Sequence, residues 1–369
     1  MNHDLMWTHH HPVRILAGPG TFSRLQDTTS LSGKILLVTS PGFSLRGTVE
    51  KALTMLGRDR VTVHDNISPN PDLDDLDEYI KLYRSLNVSD IVALGGGSVL
   101  DTAKILGAMM PQPEHTSLDA IFRKGYSLTS AGSITVTAVA TTSGTGAEVT
   151  PFATVWDKVG KKKFSLSGNH ICPAHAILDP KLTLTLPRRE TLHTSLDAIS
   201  HALESLWNKN RTPVSEAWAL HALKLAGVAL PVILEQPENL ERRAGMQQAS
   251  LLAGLAISKT KTSIAHAISY PLTIHYGIPH GLACSFALPA LIRRYSRGLE
   301  DGMEKQLLRL TEETLDKAGL KTETFRYFAD LDVQEHVNEI LMSERSDNYI
   351  FPMEEPAMAE LLRETASDG

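Results

Sequence analysis

The stretch DIVALGGGSVLDTAKILGAMM (residues 90–110) decides the fold of the N-terminal half. Its apolar start predicts a buried strand over 90–98 that runs into three glycines, and a helix follows. Glycines let a backbone approach a phosphate closely, and a helix N-terminus offers free N–H groups to an anion. The pattern is not G-x-G-x-x-G, so the standard dinucleotide fingerprint is absent. We therefore predict a phosphate-binding turn at Gly96, Gly97 and Ser98; a tight turn without a ligand is the alternative.

Short apolar runs and amphipathic stretches alternate on both sides of this turn. This alternation predicts a parallel sheet covered by helices, a Rossmann-like α/β domain. The residues between the helix and the last strand, 111–131, are rich in Pro, Ser and Gly and predict a loop. The predicted strands are 34–40, 60–65, 90–98 and 133–142, and the predicted helices before and between them are 47–57 and 72–86.

The pattern changes to helical spacing after about residue 186, where Pro187 interrupts the chain. We find no strand signal beyond this point, so we predict an α/β domain over 1–186 and an all-α domain over 187–369. The predicted helices of the second domain are 188–207, 213–233, 240–258, 261–271, 280–295, 303–318, 322–343 and 355–365.

A second loop of small residues, TTSGTGAE (141–148), also follows a predicted strand. Its threonines, Thr141, Thr142 and Thr145, offer hydroxyl groups, and Gly144 and Gly146 allow a ligand to approach closely. Ligands of open α/β sheets bind at the carboxyl ends of strands. Two such loops in one sheet therefore indicate a nucleotide site, although this loop alone does not.

The helical half holds a possible metal site. Asp197 and His201 are four residues apart in TSLDAISHALESLW (194–207), so they share one face of the predicted helix. The segment 260–283 adds His266, His275 and His280 among apolar residues. One carboxylate with two or three imidazoles suits Fe(II) or Zn(II) with an open coordination position. An exposed helix face and buried structural histidines are the alternatives.

Composition limits the partners. The chain has 369 residues and a net charge of −6, which does not favour nucleic acid. There are two cysteines, Cys172 and Cys284, which we expect to be small buried residues of a cytoplasmic protein. The N-terminus does not resemble a signal peptide, and no apolar stretch predicts a membrane span. His9, His10 and His11, part of a high total of 15 histidines, are expected to form an exposed arm.

Taken together, the motifs resemble the iron-containing (group III) alcohol dehydrogenases over nearly the full length. The motifs are RILAGPG (14–20), SPNP (68–71), GGGSVLDTAK (95–104), TTSGTGAEVTPFA (141–153), KKF (162–164), DPKLTLTLP (179–187), LDAISHALES (196–205) and YGIPHG (276–281). The resemblance implies a dinucleotide-binding α/β domain, an all-α metal-binding domain, NADH or NADPH, Fe(II) with Zn(II) possible, and a homodimer.

The resemblance also implies roles for single residues. The expected metal ligands are Asp197, His201, His266 and His280. The residues expected to bind the cofactor pyrophosphate are Gly96, Gly97 and Ser98. Asp101, three residues further, is a candidate both for cofactor binding and for catalysis. The residues expected to line the rest of the nucleotide are Asn70, Thr141, Thr142, Thr145 and Lys163.

Two positions depart from the family pattern. Many members have an acid after the first strand that holds the adenosine ribose, and Ser40 stands there. Because a carboxylate would repel a 2′-phosphate, its absence permits NADPH, and Arg46 lies nearby. The second histidine of the family's H-x-x-x-H, associated with proton relay, is replaced by Tyr270. A phenol donates a proton but is a poor base at neutral pH, so Tyr270, His275 or a water chain is the expected replacement.

The segment 259–281 further resembles a subgroup that reduces small anionic aldehydes, above all phosphonoacetaldehyde to 2-hydroxyethylphosphonate. Lys259 and Lys261 are candidates to face the substrate anion, or else are solvated surface lysines. Sulfoacetaldehyde and an uncharged short aldehyde are alternative substrates. A lyase of the dehydroquinate-synthase type and a non-catalytic metal-binding protein are the alternatives from other classes.

Overall fold

The structure is a computed structural model that describes residues 6–128, 132–328 and 333–367. It divides into two compact units. The α/β unit consists of residues 11–142 and 147–183. The helical unit consists of the chain from residue 184 onward, together with the segments up to residue 10 and 143–146.

The α/β unit contains a six-stranded parallel sheet, which confirms the predicted fold class. The strands, in the spatial order β1-β8-β5-β4-β2-β3, are β1 (Arg14–Ala17), β2 (Ile35–Thr39), β3 (Val61–His64), β4 (Asp90–Gly95), β5 (Thr135–Ala140) and β8 (His175–Leu178). Alternate residues of β2 pack into two different hydrophobic cores on the two faces of the sheet. Leu36 and Val38 belong to one core, and Ile35 and Leu37 belong to the other. A strand buried on both faces needs an unbroken apolar run, and ILLVT supplies it.

Helices connect these strands. They are α1 (Pro41–Leu45), α2 (Thr48–Leu56), α3 (Leu73–Arg84), α4 (Gly97–Met109) and α5 (Leu118–Phe122). Gly107 lets α4 lie close to β5, because a Cβ at this position would be 2.7 Å from Cγ2 of Val136. The short α5 lies inside 111–131, where the sequence predicts only a loop.

The sequence patterns do not predict four of the observed strands. Two of them, β6 (Phe152–Asp157) and β7 (Lys162–Ser167), form an antiparallel hairpin. Backbone pairing forms the hairpin, and Arg123, at the end of α5, donates to both carboxylate oxygens of Asp157 at the end of β6, at 2.8 and 3.2 Å. The others, β1 and β8, have four residues each, and neither RILA nor HAIL alternates polar with apolar residues.

The helical unit contains ten α-helices and no named strand among its described residues. They are α6 (Arg188–Leu206), α7 (Pro213–Glu235), α8 (Leu240–Thr260), α9 (Ile264–Tyr276), α10 (His280–Ser285), α11 (Leu288–Ser296), α12 (Met303–Lys317), α13 (Leu320–Phe328), α14 (Val337–Leu341) and α15 (Glu355–Ser367).

Three predicted helices differ from the observed ones. The helix predicted from 261 begins at Ile264, because Lys261 ends α8 with a left-handed φ of 63°. The helix predicted over 280–295 is divided into α10 and α11, and Pro289 occupies the first turn of α11. The helix predicted over 322–343 is divided into α13 and α14, and residues 329–332 between them lie outside the described residues.

One helix, α7, is long and apolar enough to cross a membrane by length and composition alone. It packs against α6 and α8, and 44% of its most apolar window is buried. Its N-terminus is fixed by a capping box in which Thr212 and Ser215 exchange side-chain-to-backbone hydrogen bonds. A core helix of this kind passes the same test, so the finding is weak evidence for a span.

Candidate metal centre and nucleotide loop

The middle of α6 carries the first two predicted metal ligands in a fully buried environment. Asp197 and His201 are 3% and 4% exposed. Gly281 of α10 allows another helix to pack closely against this buried part of α6. A Cβ at Gly281 would lie 1.9 Å from the carbonyl oxygen of His193 and 3.4 Å from Cβ of Asp197. The glycine therefore lets α10 contact α6 directly, next to Asp197.

Three ligand atoms form a small triangle. Nε2 of His201 lies 3.2 Å from Nε2 of His266 and 3.5 Å from Oδ1 of Asp197, and Nε2 of His266 lies 3.6 Å from the same oxygen. Ligand atoms bound about 2.0–2.1 Å from one tetrahedral ion lie about 3.3–3.4 Å apart. The triangle therefore has the dimensions of a metal coordination sphere.

The orientation of His266 is set by Glu204, one turn beyond His201 on α6. Nδ1–H of His266 donates to Oε2 of Glu204. The other carboxylate oxygen accepts from the backbone N–H groups of Ser263, at 2.9 Å, and His266, at 3.1 Å. Glu204 is completely buried, and burial raises its pKa, whereas the N–H groups of His266 and Ser263 oppose that shift. With the proton on Nδ1, Nε2 of His266 presents its lone pair to the triangle.

The fourth predicted ligand, His280, brings an unexpected neighbour. Its ring centroid is 5.3 Å from that of His266, and Sγ of Cys284 lies 3.6 Å from both of its nitrogens. The ligand atoms of Asp197, His266, His280 and Cys284 lie within 4.8 Å of one another. Cys284 is buried as expected, but it is a further possible donor. The signal that could have identified it is its spacing of four residues from His280.

The donor set fits a divalent transition ion. Oδ1 of Asp197 is buried and has no hydrogen-bond partner among the residues that the structure describes. A buried, unpartnered carboxylate oxygen is costly unless it is paired or binds a metal. Imidazole and carboxylate donors suit Fe(II) and Zn(II), and a thiol favours the softer ion.

The remaining residues predicted in this unit fall in different places. Tyr270 is half-buried one helical turn after His266, on the same face of α9. His275, by contrast, is exposed, and its Nε2 lies 3.0 Å from Oε2 of Glu339. Nine residues separate it from His266, so it lies on the opposite face of α9 and about 13 Å along the axis. The structure therefore does not support His275 as a proton relay to the cluster.

Lys259 and Lys261 lie at the exposed end of α8. Neither makes an ion pair within the described parts of the chain. Asn208 donates through Nδ2 to the Lys261 carbonyl at 3.2 Å and holds this turn in place. Two residues further, Ser263 donates to Glu204, so the turn that carries Lys261 leads directly into the metal cluster.

In the α/β unit, the glycine turn lies at the carboxyl end of β4. A Cβ at Gly96 would lie 3.0 Å from Cγ2 of Thr142, so the glycine allows a close contact with this residue, which follows the end of β5. Gly97 begins α4, and Ser98 is one of its first residues. The hydroxyl oxygen of Ser98 accepts from the backbone N–H of Asn70 at 3.1 Å. The turn therefore gathers Gly96, Ser98, Thr142 and Asn70 at one edge of the sheet.

Asp101 has a different environment from the one expected. Its carboxylate accepts from the backbone N–H of Thr154 at 2.9 Å and lies 3.4 Å from Nζ of the buried Lys104. Burial raises the pKa of Asp101, and the charge of Lys104 opposes this. Asp101 thus ties α4 to the hairpin, and this engagement does not support a catalytic role. Lys163, on β7, has its Nζ 5.1 Å from the ring centroid of Trp156.

The second small-residue loop is shared between the units. Thr141 and Thr142 belong to the α/β unit, whereas residues 143–146, including Thr145, belong to the helical unit. A Cβ at Gly144 would be 2.7 Å from the Thr194 carbonyl oxygen, and one at Gly146 would be 2.5 Å from Cα of Gly254. These glycines therefore serve the packing against α6 and α8, and not the close approach of a ligand that their sequence predicts.

Ser40 lies between β2 and α1, where a ribose-binding acid was expected. Arg46 is exposed, and its guanidinium carbon lies 4.6 Å from the ring centroid of Phe43 in the same turn. It makes no ion pair within the described residues. The end of β2 therefore offers a cation, while the carboxylate of Asp65, directly after β3, accepts from the hydroxyl of Ser44 in α1 at 2.6 Å.

A buried carboxylate–imidazole cluster and a glycine turn at a strand end are features that a metal-dependent, nucleotide-linked enzyme would need. The family model of iron-containing alcohol dehydrogenase matches residues 12–180, and the model of the Fe-containing alcohol dehydrogenase family's C-terminal domain matches 191–347. The chain belongs to the iron-containing alcohol dehydrogenase family. It is therefore an oxidoreductase that acts on CH–OH groups, as the resemblance implied, and not a lyase.

Two curated relatives and one solved structure are similar over most of their length. The chain is 34% identical to phosphonoacetaldehyde reductase of Streptomyces viridochromogenes, over 76% of this chain and 73% of that protein. It is 31% identical to sulfoacetaldehyde reductase of Bilophila wadsworthia, over 77% and 74%. The crystal structure of sulfoacetaldehyde reductase from Bifidobacterium kashiwanohense in complex with NAD⁺ has a TM-score of 0.88 and 26% identity, covering 99% of this chain and 100% of that one.

Proposed function

We propose that this chain is a metal-dependent, NAD(P)H-linked reductase of a small anionic aldehyde, with phosphonoacetaldehyde preferred and 2-hydroxyethylphosphonate as product. The observation that carries the proposal is the triangle of Asp197, His201 and His266. We assign these residues and His280 as ligands of Fe(II) or Zn(II). A bound ion would supply Lewis acidity toward the aldehyde oxygen, and the reduced nicotinamide would supply hydride.

The chain's own residues prepare this site. Glu204 holds the proton on Nδ1 of His266 and leaves Nε2 free to bind the ion. Gly96, Gly97 and Ser98 would bind the pyrophosphate through the start of α4, and we assign Asn70, Thr141, Thr142, Thr145 and Lys163 as further nucleotide-binding residues. We assign Tyr270 as the proton donor to the product oxygen, because a neutral phenol can donate through Oη.

The anionic substrate is supported by two independent features. The names of the two curated relatives, phosphonoacetaldehyde reductase and sulfoacetaldehyde reductase, both describe small anionic aldehydes as substrates. In this chain, Lys259 and Lys261 stand at the end of α8 without ion-pair partners among the described residues. We propose that their ammonium groups bind the phosphonate or sulfonate. Sulfoacetaldehyde is the second candidate substrate.

The test is a panel of aldehydes assayed with NADH and with NADPH at 340 nm: phosphonoacetaldehyde, sulfoacetaldehyde, succinic semialdehyde and butanal. The double variant Lys259→Met/Lys261→Met should raise KM for the anionic substrate about tenfold or more, because a hydrogen bond to a charged group contributes about 1.5–3 kcal/mol. The KM for butanal should not change. Lys224→Met, an exposed lysine on α7, is the control.

Two results would contradict the proposal at different levels. Activity confined to uncharged aldehydes would remove the anionic substrate and leave the reductase. No change in absorbance with any aldehyde, together with no nicotinamide binding by fluorescence, would instead favour a non-catalytic metal-binding protein.

The choice of cofactor has its own test. With Ser40 in place of an acid and Arg46 beside it, we propose that NADPH is accepted. Arg46→Ala should raise KM for NADPH about tenfold and leave KM for NADH unchanged, and Ser40→Asp should favour NADH. Equal effects on both cofactors would show that neither residue contacts the 2′-phosphate.

A further inference from the structure

A second group of metal-ligating side chains lies on the surface of the helical unit. It consists of His275 at the end of α9 with His336 and Glu339 at the start of α14, and we call it the surface triad. Oε2 of Glu339 lies 3.0 Å from Nε2 of His275 and 3.3 Å from Nδ1 of His336. One ligand atom from each residue lies within 4.8 Å of the other two.

The two imidazoles are held in place by more than their shared carboxylate. Their rings stack with centroids 5.0 Å apart and an angle of 10° between planes. The hydroxyl of Tyr276 lies 2.8 Å from Nε2 of His336. Without an ion, Nδ1–H of His336 donates to Glu339 and the Tyr276 hydroxyl donates to Nε2; with an ion bound, Nε2–H would donate to the Tyr276 oxygen and leave the Nδ1 lone pair for the metal. An outer hydrogen bond that selects the tautomer is typical of histidines that bind metals.

The donor types narrow the class of ion. Two imidazoles and one carboxylate suit Zn²⁺ and neighbouring transition ions, whereas Mg²⁺ and Ca²⁺ prefer oxygen ligands. His275 and Glu339 are exposed, so solvent can complete the coordination sphere. His336 and Glu339 are three residues apart along the chain, but His275 comes from a different helix. An ion would therefore join the end of α9 to α14.

We propose that the surface triad binds a divalent transition-metal ion of the Zn²⁺ class, separate from the buried cluster. Binding would replace the two imidazole–carboxylate contacts by metal bonds and rotate at least one ring, because the in-plane lone pairs of two nearly parallel imidazoles do not meet at one ion. It does not depend on the proposed substrate or on the assignment of the buried cluster.

The experiment measures zinc stoichiometry in the full-length enzyme after equilibrium dialysis against micromolar Zn²⁺ with excess Mg²⁺. Wild type should hold one more equivalent per chain than His275→Ala, His336→Ala or Glu339→Gln. Tyr276→Phe should keep the site but weaken it about tenfold, because loss of an outer partner costs about 10–100-fold in metal affinity. Because this variant keeps all three donors, it tests the geometry even if an alanine variant folds poorly.

Two controls separate this site from other histidines. His221→Ala removes an exposed histidine of α7, and His9→Ala/His10→Ala removes two of the three consecutive histidines near the N-terminus. Both should keep the additional equivalent. The proposal is overturned if wild type takes up no additional zinc, if the His9/His10 variant loses it, or if the three triad variants bind zinc as wild type does.

Discussion

The helical unit contains two clusters built from the same residue types in opposite environments. In the buried cluster, His266 is 3% exposed, its Nδ1 is committed to Glu204, and its Nε2 points at other ligand atoms. In the surface triad, His275 is exposed and its Nε2 meets the carboxylate of Glu339 directly. Both histidines lie on α9, nine residues apart.

The difference shows what burial adds to a set of donors. Exposed imidazole and carboxylate groups can pair with each other or with water at little cost, so their grouping contributes little by itself. In the buried cluster, Oδ1 of Asp197 has no hydrogen-bond partner among the described residues, and such an atom needs a cation. The buried cluster is therefore organised for an ion even before one binds.

Removing one ligand from the buried cluster should give the largest effect. His266→Ala should lower turnover about 1000-fold or more, because Lewis-acid stabilisation is worth several kcal/mol. Bound metal, measured by elemental analysis, should fall in parallel. His221→Ala, which removes an exposed histidine of α7, is the control and should keep both. Intact turnover in His266→Ala would show that the reaction does not need this cluster.

Glu148 is a buried acid that belongs to neither cluster, so it shows what burial alone does to the pKa of a carboxyl group. Burial raises the pKa of Glu148 from an ordinary 4.5 to about 7. The folded state then holds the proton more tightly, so stability falls as pH rises from 4.5 to about 7. The total is on the order of 3 kcal/mol. Glu148→Gln should lose this slope and be more stable than wild type at pH 8 in urea unfolding.

The matched control for Glu148 is Glu241→Gln, since Glu241 is exposed on α8. This variant should follow the pH profile of wild type. Identical pH profiles for Glu148→Gln and wild type would mean that Glu148 is ionised in the folded enzyme at neutral pH.

Removing the hydrogen bond from His266 to Glu204 tests whether this bond orients His266 as a metal ligand. Glu204→Gln replaces an acceptor by a group whose Nε2 cannot accept from Nδ1–H. Metal affinity, measured by competition with a chelator, should fall about 10–100-fold. Ser205→Ala is the control, because its hydroxyl contacts Oγ1 of Thr260 at 3.0 Å and not the cluster. Wild-type metal affinity in Glu204→Gln would leave Glu204 with a purely structural role.

The smallest effect is expected in the surface triad without metal. His275→Ala should change the free energy of unfolding by less than about 1 kcal/mol in the presence of a chelator, because exposed ion pairs contribute little. Added Zn²⁺ should stabilise wild type but not this variant, since a ligand that binds only the folded state raises its stability. A large loss of stability with the chelator present would show that the contact with Glu339 is itself structural.

Much of the α/β fold could be predicted because local patterns are strong there. The central strands β2 and β4 are continuous apolar runs, and the glycine turn leads into α4 at the expected residue. The hairpin β6–β7 could not be predicted in the same way. Its second strand, KKFSLS, contains two lysines and two serines, so it lacks the continuous apolar run of the central strands.

The candidate site was predictable only in part. The spacing of Asp197 and His201 indicates two donors on one helix face, and the family resemblance suggested His266 and His280. The same apolar segment also contains His275, which sequence context did not separate from the others. Its position on the opposite face of α9 follows from helix geometry once the helix is known to continue through Pro271 to Tyr276. Asp101 was misjudged because its partner, Thr154, lies 53 residues away.

The sequence by itself determined the class of each half, the glycine turn, the donor types and the family, because these depend on residue identity and short-range spacing. Only the tertiary structure decided which histidines converge, through the contact that Gly281 permits between α10 and α6 and the hydrogen bonds of Glu204. It also separated the buried cluster from the surface triad. The physical reason is that burial and hydrogen-bond partners arise from residues distant in the chain, and these set the tautomer, charge and metal affinity of an imidazole.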